Sequence, residues 1–297
     1  MHEVGQVIKL KTGLIIIHYN DYESVKSLID NVKNYKVLDK IIIYDNHSKT
    51  DIIEKLKKLS STKIDVVINE ENKGYAYAIN EASKHLIKEL NKCNIIISNS
   101  DIIIDKEEDL KELINLLDKK GVGLVAPTIL EKGHLNRGWK NPGPILDSMM
   151  NLIYVHRFFR KKYLFYKEEH YINDTSYVDV ASGCFFLIKS GVLEDINYLD
   201  ENTFLYYEEN ILAKKLLNIN KKELIANNII IIHNHSVSID KNIKKIKKLK
   251  LQKKSQYYFQ KTYNHANLFE RCLLKVTAFI GRMILTLVYF VKDLIKK

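Results

Sequence analysis

Residues 13–20 read GLIIIHYN, an apolar and mostly β-branched run from Leu14 to Ile17 that closes on His18, Tyr19 and Asn20. A short run of this kind, bounded by polar residues, is the signature of a strand buried on both faces. The pattern recurs in KIIIYDN (residues 40–46), DVVIN (65–69), NIIISNSD (94–101) and GVGLVAP (121–127). Helix-length segments at 22–35, 51–59, 75–90 and 107–117 separate the runs. Strands alternating with helices predict an α/β fold, a Rossmann-like and mostly parallel sheet with helices on both faces.

In such sheets ligands bind beyond the carboxyl ends of the strands. Polar residues collect there: Tyr19 and Asn20 after the first strand, Asp45, Asn46 and Ser48 after the second, Asn99, Ser100 and Asp101 after the fourth. Each alone is an ordinary turn former. Their recurrence at successive strand ends points to a ligand. From Pro127 to about Tyr177 the pattern becomes irregular and holds every proline and the sole tryptophan, Trp139. This excursion is long enough to shape a substrate site, with Arg137, Trp139 and Lys140 as candidate acceptor contacts. Regular structure returns at CFFLIK (184–189), and NNIIIIHNH (227–235) reads as a last strand that delivers His233 and His235 to an edge of the site.

The 297 residues are 46% hydrophobic and 28% charged, a globular composition long enough for a sizeable core. The net charge of +11 is uneven: residues 241–297 carry 13 lysines and two arginines against Glu270 and Asp293, so the rest of the chain is slightly acidic. Within that segment DKNIKKIKKLKLQKK (240–254) spaces Ile243, Ile246 and Leu249 as in an amphipathic helix. The segment that follows, LLKVTAFIGRMILTLVYFVKDLIKK (273–297), is apolar around most of its helical circumference. Lys275 and Arg282 inside it disfavour a membrane span and suit a helix lying in the interface. The expected organisation is a domain over 1–240 and a basic, amphipathic, membrane-associating tail over 241–297. Binding of nucleic acid by the lysines is disfavoured, because no recognition module accompanies them. Cys93, Cys184 and Cys272 are far apart, which gives neither a disulfide framework nor a metal-type spacing. The first residues lack the pattern of a secretory leader. The expectation is a cytoplasmic protein in peripheral contact with the anionic inner face of the cell membrane.

The order of HYN, YDNHSKTD, NKGYAYAINEA, SNSD, ASGCFFLIKSGV, YLDENTFLYYEEN and HNHSVS resembles glycosyltransferase family 2, especially its rhamnosyltransferase-like members that build bacterial surface polysaccharides. The resemblance covers roughly residues 12–240. It implies a nucleotide-sugar-binding fold of the GT-A type. It places Tyr19, Asn20, Asp45, Asn46, Ser48, Asn72, Gly74, Asn99, Ser100 and Gly183 in the nucleotide-sugar site. Asp45 would accept hydrogen bonds from the base or its surroundings, with Asn46 and Ser48 forming the turn. Gly74, Ala76 and Ala78 would let a helix start approach the nucleotide.

SNSD takes the place of the family's Asp-x-Asp metal motif, with Asn99 at the first acid, so Asp101 alone offers a carboxylate there. The resemblance assigns Asp101 and His233 to a divalent cation, Mn2+ or Mg2+, that neutralises the departing diphosphate. In TFLYYEEN (203–210) the family's aromatic stretch ends in two acids, of which the second is the base. Glu209 falls on that position and Glu208 on the first. Both also suit the first turn of a helix, where the dipole favours acids. The implied activity is inverting transfer of a sugar from dTDP-rhamnose or a UDP-hexose to a glycan or lipid-linked glycan acceptor. A catalytically inactive nucleotide-sugar-binding or scaffold protein of the same fold is the alternative.

Overall fold

The computed structural model describes residues 9–152, 160–234 and 245–295. The first half alternates as anticipated: β1 (Lys11–His18), α1 (Tyr22–Val32), β2 (Lys40–Asp45), α2 (Thr50–Lys57), β3 (Ile64–Ile68), α3 (Tyr75–Leu90) and β4 (Cys93–Asn99). There follow β5 (Ile102–Ile103), α4 (Glu107–Leu116), β6 (Val122–Glu131), β7 (His134–Asn136) and α5 (Pro144–Met149). The remainder comprises β8 (Thr175–Val178), β9 (Phe185–Lys189), α6 (Ser190–Asp195), α7 (Glu208–Asn218), β10 (Lys222–His233), α8 (Lys245–Thr262) and α9 (Leu268–Ile295).

Alternation along the strands builds two cores. Leu14 and Ile16 of β1, with Ile41 and Ile43 of β2, pack under α1, α2 and α4. Ile15, Ile17 and Ile42 face the other way, against α3, α6 and α7. Helix α1 shows the match between periodicity and packing, because Val25, Leu28, Ile29 and Val32 form its buried face. Each such side chain contributes about 1.5–3 kcal/mol on burial.

The sheet order is β3-β2-β1-β4-β9-β6-β10-β5, with β7 beside β6 and β8 beside β10. Strands β1 to β4 are parallel, but β9 runs antiparallel between β4 and β6. The strand following α4, β6, is thereby displaced from the place beside β4 that simple alternation suggests. The chain reaches β9 only after the excursion, whose β8 pairs antiparallel with β10. Strand β9 fills the slot from the opposite direction.

The two C-terminal helices lie against this body. Gln256 and Gln260 of α8 donate to the Asp147 carbonyl (3.2 Å) and to its carboxylate (2.7 Å), and Ser255 Oγ donates to the Leu205 carbonyl (2.8 Å). Tyr258 and Tyr263 both donate to Asp200. Helix α9 crosses α5 so closely at Gly281 that a Cβ there would stand 2.0 Å from the Asn151 carbonyl oxygen. Asn151 Nδ2 donates to Thr277 Oγ1 at 3.0 Å across the same crossing. The docking face of α8 is thus largely polar, with Ser255, Gln256, Phe259 and Gln260 buried. Of the seam expected over 240–254, Ile243 lies outside the described residues. Among the described residues no helix is long and apolar enough to cross a membrane.

Candidate active site

The carboxyl ends of β1 and β2 meet in a buried hydrogen-bonded knot. Asp45 Oδ1 lies 2.7 Å from His18 Nδ1, while Asp45 Oδ2 accepts the Ser48 N–H at 2.9 Å. His18 Nε2 accepts the Asp21 N–H at 2.9 Å, which places the imidazole proton on Nδ1, donated to Asp45. Ser48 Oγ in turn accepts the Asn20 N–H, and Asn20 Oδ1 accepts that of Lys49. Both Asp45 oxygens are therefore engaged within the protein, and the residue is fully buried. Its visible work is to lock the first two strand-end turns together.

A second knot links Asn46, Asn72 and Gly74: Asn46 Nδ2 donates to Asn72 Oδ1 (3.1 Å) and to the Gly74 carbonyl (3.2 Å). Gly74 has φ +106°, and a Cβ on it would fall 2.6 Å from the Phe204 carbonyl oxygen. Glycine is needed here for its backbone conformation and for close approach to the chain leading to Glu209. Tyr75 follows, donating its amide to that same Phe204 oxygen (3.1 Å). Its hydroxyl lies 2.8 Å from Asn99 Oδ1 and 2.9 Å from the Gly183 carbonyl. Tyr75 thus ties the SNSD turn, the ASGC turn and the TFLYYEEN loop to one helix start.

Register brings Asp101 and His233 together. Strand β10 pairs antiparallel with β5, His233 opposite Ile102, and His233 Nε2 lies 3.2 Å from Asp101 Oδ1. Burial opposes charge on His233, but hydrogen bonds to Asp101 and Cys184 outweigh it and raise its pKa to about 10. Glu131 Oε2 is 3.9 Å from the other ring nitrogen. Among the described residues no cluster of three or more histidines, cysteines or acids is arranged to hold a metal. Asp101 Oδ1 and His233 Nε2, 3.2 Å apart, are near enough for both to contact one cation that takes its other ligands from substrate phosphates and water. Ser100 is buried in the same turn, while His235 lies outside the described residues.

Glu208 and Glu209 open α7, and two consecutive left-handed residues, Tyr206 (φ 74°) and Tyr207 (φ 69°), turn the chain into it. Left-handed aromatic residues cost on the order of 1–3 kcal/mol each and persist where surrounding contacts impose them. Here the Tyr207 hydroxyl donates to both carboxylate oxygens of Asp147 (2.8 and 2.9 Å), and its ring packs 5.5 Å from that of Phe259 in α8. The two acids part company at this point. Glu208 is buried, with Oε1 lacking a hydrogen-bond partner among the described residues, and burial beside Glu209 pushes its pKa well above the usual carboxylate range. Glu209 is only partly buried and lines a cavity of about 540 Å3 between the domain and helices α8 and α9. Burial raises its pKa too, against the opposing effect of the Gly183 N–H that it accepts. A Cβ on Gly183 would stand 2.8 Å from both Glu209 Cγ and Oε1. The glycine is what lets the carboxylate lie against the ASGC turn.

The family model for glycosyl transferase family 2 matches residues 14–196, more than half of the chain. The chain belongs to glycosyltransferase family 2. Its similarity to the low-salt glycan biosynthesis hexosyltransferase Agl10 of Haloferax volcanii is 25% identity over 209 residues, 70% of this chain and 62% of that protein. Two solved structures share the fold at low identity. GalNAc-T7 with UDP, GalNAc and Mn2+ has a TM-score of 0.58 at 14% identity, over 76% of this chain and 44% of that one. The mannosyltransferase PcManGT of Pyrobaculum calidifontis, in complex with GDP-Man and Mn2+, has a TM-score of 0.57 at 12% identity, over 92% and 70%. The family 2 chain has the GT-A fold expected from its motif order.

Most of the residues singled out by motif meet along one edge of this family 2 sheet, at the strand ends and the turns facing them. Tyr19 stands half-exposed there. Of the excursion residues, Trp139 lines the cavity; Arg137 is instead paired with Glu168 and stacked over Tyr171. Lys140 lies over the Tyr166 ring. Motif reading missed His18, Tyr75, Asp147 and Glu223. Glu223, buried in β10, accepts the Ala181 N–H and steadies the ASGC turn. His18 and Tyr75 stand inside quoted motifs; a rule favouring polar residues at buried strand ends would have found His18, whereas Tyr75 opens helix α3 and gives no such signal.

Proposed function

We propose that the chain transfers a hexose or deoxyhexose, with inversion, from a nucleoside-diphosphate sugar to a glycan or lipid-linked glycan acceptor in cell-surface polysaccharide synthesis. The observation that supports this most directly is the partly buried Glu209 carboxylate, held against Gly183 and facing a cavity able to admit an acceptor. Glu209 is assigned as the base. The acceptor hydroxyl oxygen attacks the anomeric carbon, its proton passes to Glu209, and the bond to the diphosphate breaks with its electrons leaving on phosphate oxygen. Glu208, one residue earlier and buried, shapes the electrostatics around it. Asn46, Asn72, Asn99 and Ser100 are assigned to the donor side, with Asp45, Ser48 and Asn20 holding the turns that carry them.

Asp101 and His233 would hold a divalent cation, Mn2+ or Mg2+, whose chemistry is to neutralise charge on the diphosphate. The relative's name, a hexosyltransferase, favours a hexose as the sugar moved. Residues 1–240 constitute the catalytic domain in this reading, and 241–297 a tail that rests on the anionic inner face of the cell membrane.

Calorimetric titration with UDP and dTDP, each with and without Mn2+, tests the donor site. Metal-dependent binding that Asp101→Ala abolishes is expected. Glu209→Gln should keep that binding and lower turnover about 10²–10⁴-fold, the usual contribution of a general base. A variant with unchanged turnover would remove Glu209 from the mechanism.

A further inference from the structure

The C-terminal segment turns two unlike faces. Outward, α9 exposes Phe269, Val276, Ile280, Met283 and Leu287, an apolar stripe at helical spacing. Inward, α8 presents Ser255, Gln256, Phe259 and Gln260, none more than 4% exposed. Three of these four side chains are polar, and they reach for Asp147 and for the chain that runs into Glu208 and Glu209. Ser255 Oγ donates to the Leu205 carbonyl (2.8 Å), Gln256 to the Asp147 carbonyl (3.2 Å) and Gln260 to the Asp147 carboxylate (2.7 Å). Apolar contacts are enough to anchor a tail. A buried carboxylate is costly to desolvate, and it favours the one arrangement in which its oxygens are satisfied.

Asp147 passes this grip on towards the acids. Its carboxylate, in a residue 2% exposed, accepts the Tyr207 hydroxyl at 2.8 and 2.9 Å, and the Tyr207 ring lies 5.5 Å from that of Phe259. Tyr207 stands just before α7 and gives it no side-chain cap, so the start of that helix is not fixed by local capping. It is fixed from outside. The Phe204 carbonyl is held by the Tyr75 amide (3.1 Å), Leu205 by Ser255 and Tyr207 by Asp147. Between these clamps Tyr206 and Tyr207 stay left-handed, and backbone so strained keeps its shape only while its neighbours impose it. Two residues on, Glu209 has its far end against Gly183. Its backbone is thus placed by the Tyr207 turn and its carboxylate by the Gly183 N–H, and productive geometry requires the two to agree to within about 0.5 Å.

We propose that Asp147 and Gln260 are positioning residues of the transfer reaction, which hold Tyr207 in its left-handed conformation and thereby aim Glu209. The inference rests on Glu209 being the base. It makes α8 part of the catalytic unit, which then extends past residue 240 to Thr262.

Tyr207→Phe keeps the ring on Phe259 and removes only the hydroxyl, while Gln260→Met keeps the volume and removes a donor to Asp147. Water serves as acceptor, and turnover is read as nucleoside diphosphate released with Mn2+ from UDP-glucose, UDP-galactose or dTDP-rhamnose, well below the melting temperature of each variant. Each change is expected to lower kcat about 10- to 100-fold, the range reached by a displacement of about 1 Å, with the donor KM and the affinity for the free diphosphate within about twofold of wild type. Tyr207→Phe is also made in the Glu209→Gln background. A residue that acts through Glu209 has nothing left to aim there, so the added change should cost less than about threefold. A purely structural role predicts the full loss in both backgrounds, or a fall in diphosphate affinity alongside kcat. Either of those results, or unchanged kcat in either single variant, overturns this inference alone, provided that Glu209→Gln itself lowers turnover. Should loss of Gln260 unfold the chain, seen as lost diphosphate binding, the cycle on Tyr207 decides by itself. Wild-type turnover in Glu209→Gln removes the base and this inference together. Release of no diphosphate by the wild type from any of the three donors defeats the glycosyltransferase reading and takes the inference with it.

Discussion

Glu209 must be ionised to take a proton, and burial works against ionisation. Its folded pKa stands above the ordinary carboxylate value, so turnover should fall, as pH drops, at a higher pH than it would for a solvent-exposed glutamate of pKa about 4.3. A pH profile of kcat with its acid limb at or below that value would contradict the assignment. Glu223 carries a different prediction. Burial, with Glu209 and Asp179 nearby, raises its pKa well above the usual range despite the Ala181 N–H that opposes the shift. The folded state therefore holds that proton more tightly than the unfolded chain. The associated stability is complete below the unfolded pKa and is lost as pH rises through the folded one. Glu223→Gln keeps an acceptor for Ala181 and cannot ionise. It should melt above the wild type at about pH 8 and lose that advantage near about pH 4; a pH-independent difference would refute the linkage.

At the scale of elements, three glycines let backbones and helices approach, and they should fail differently. Gly74→Ala combines a left-handed φ with a Cβ 2.6 Å from a carbonyl oxygen, and backbone cannot swing aside. A stability loss on the order of 1–3 kcal/mol is expected in a denaturant melt. Gly183→Ala meets only the flexible end of Glu209, so stability should change little while turnover collapses with the displaced carboxylate. Finding the reverse order would mean that Gly183 is structural and Glu209 is not the base. Gly281→Ala drives a methyl into the Asn151 carbonyl and should lift α9 from α5, seen as faster proteolysis at the turn between α8 and α9. The strand and helix sequence through β4 was legible from GLIIIHYN outward, because burial on both faces writes a local pattern. The antiparallel β9 was not, since CFFLIK carries a strand signal but no record of its direction.

For the whole molecule, the basic C-terminal segment proves to be packed onto the domain through Asp147, Asn151 and Asp200. Deleting residues 241–297 would strip Tyr207 of its Phe259 neighbour and Asp147 of its glutamines, so truncation would confound membrane binding with damage to the site. Point changes on the exposed stripe avoid this. Phe269→Asp combined with Val276→Asp should lower the fraction floating with anionic vesicles and leave the melting temperature and UDP binding unchanged, because both side chains are exposed. Each buried side chain of this kind contributes roughly 1.5–3 kcal/mol to partitioning. Undiminished flotation would exclude the stripe as the membrane contact.

The sequence by itself determined the alternating α/β order, the polar residues at successive strand ends and the motif order that marks the family. All of these are written in local periodicity and short spacings. It also placed Asp101, His233, Gly183 and Glu209 among the candidates, but only the tertiary structure brought Asp101 to His233 across 132 positions and laid Gly183 against Glu209. Tertiary contacts likewise engaged both oxygens of Asp45 with His18 and Ser48, turned Glu208 inward and Glu209 outward, and closed α8 and α9 over the cavity. These outcomes depend on which distant surfaces meet. Side-chain periodicity records only whether a residue is to be buried, and the partner that buries it is decided by packing.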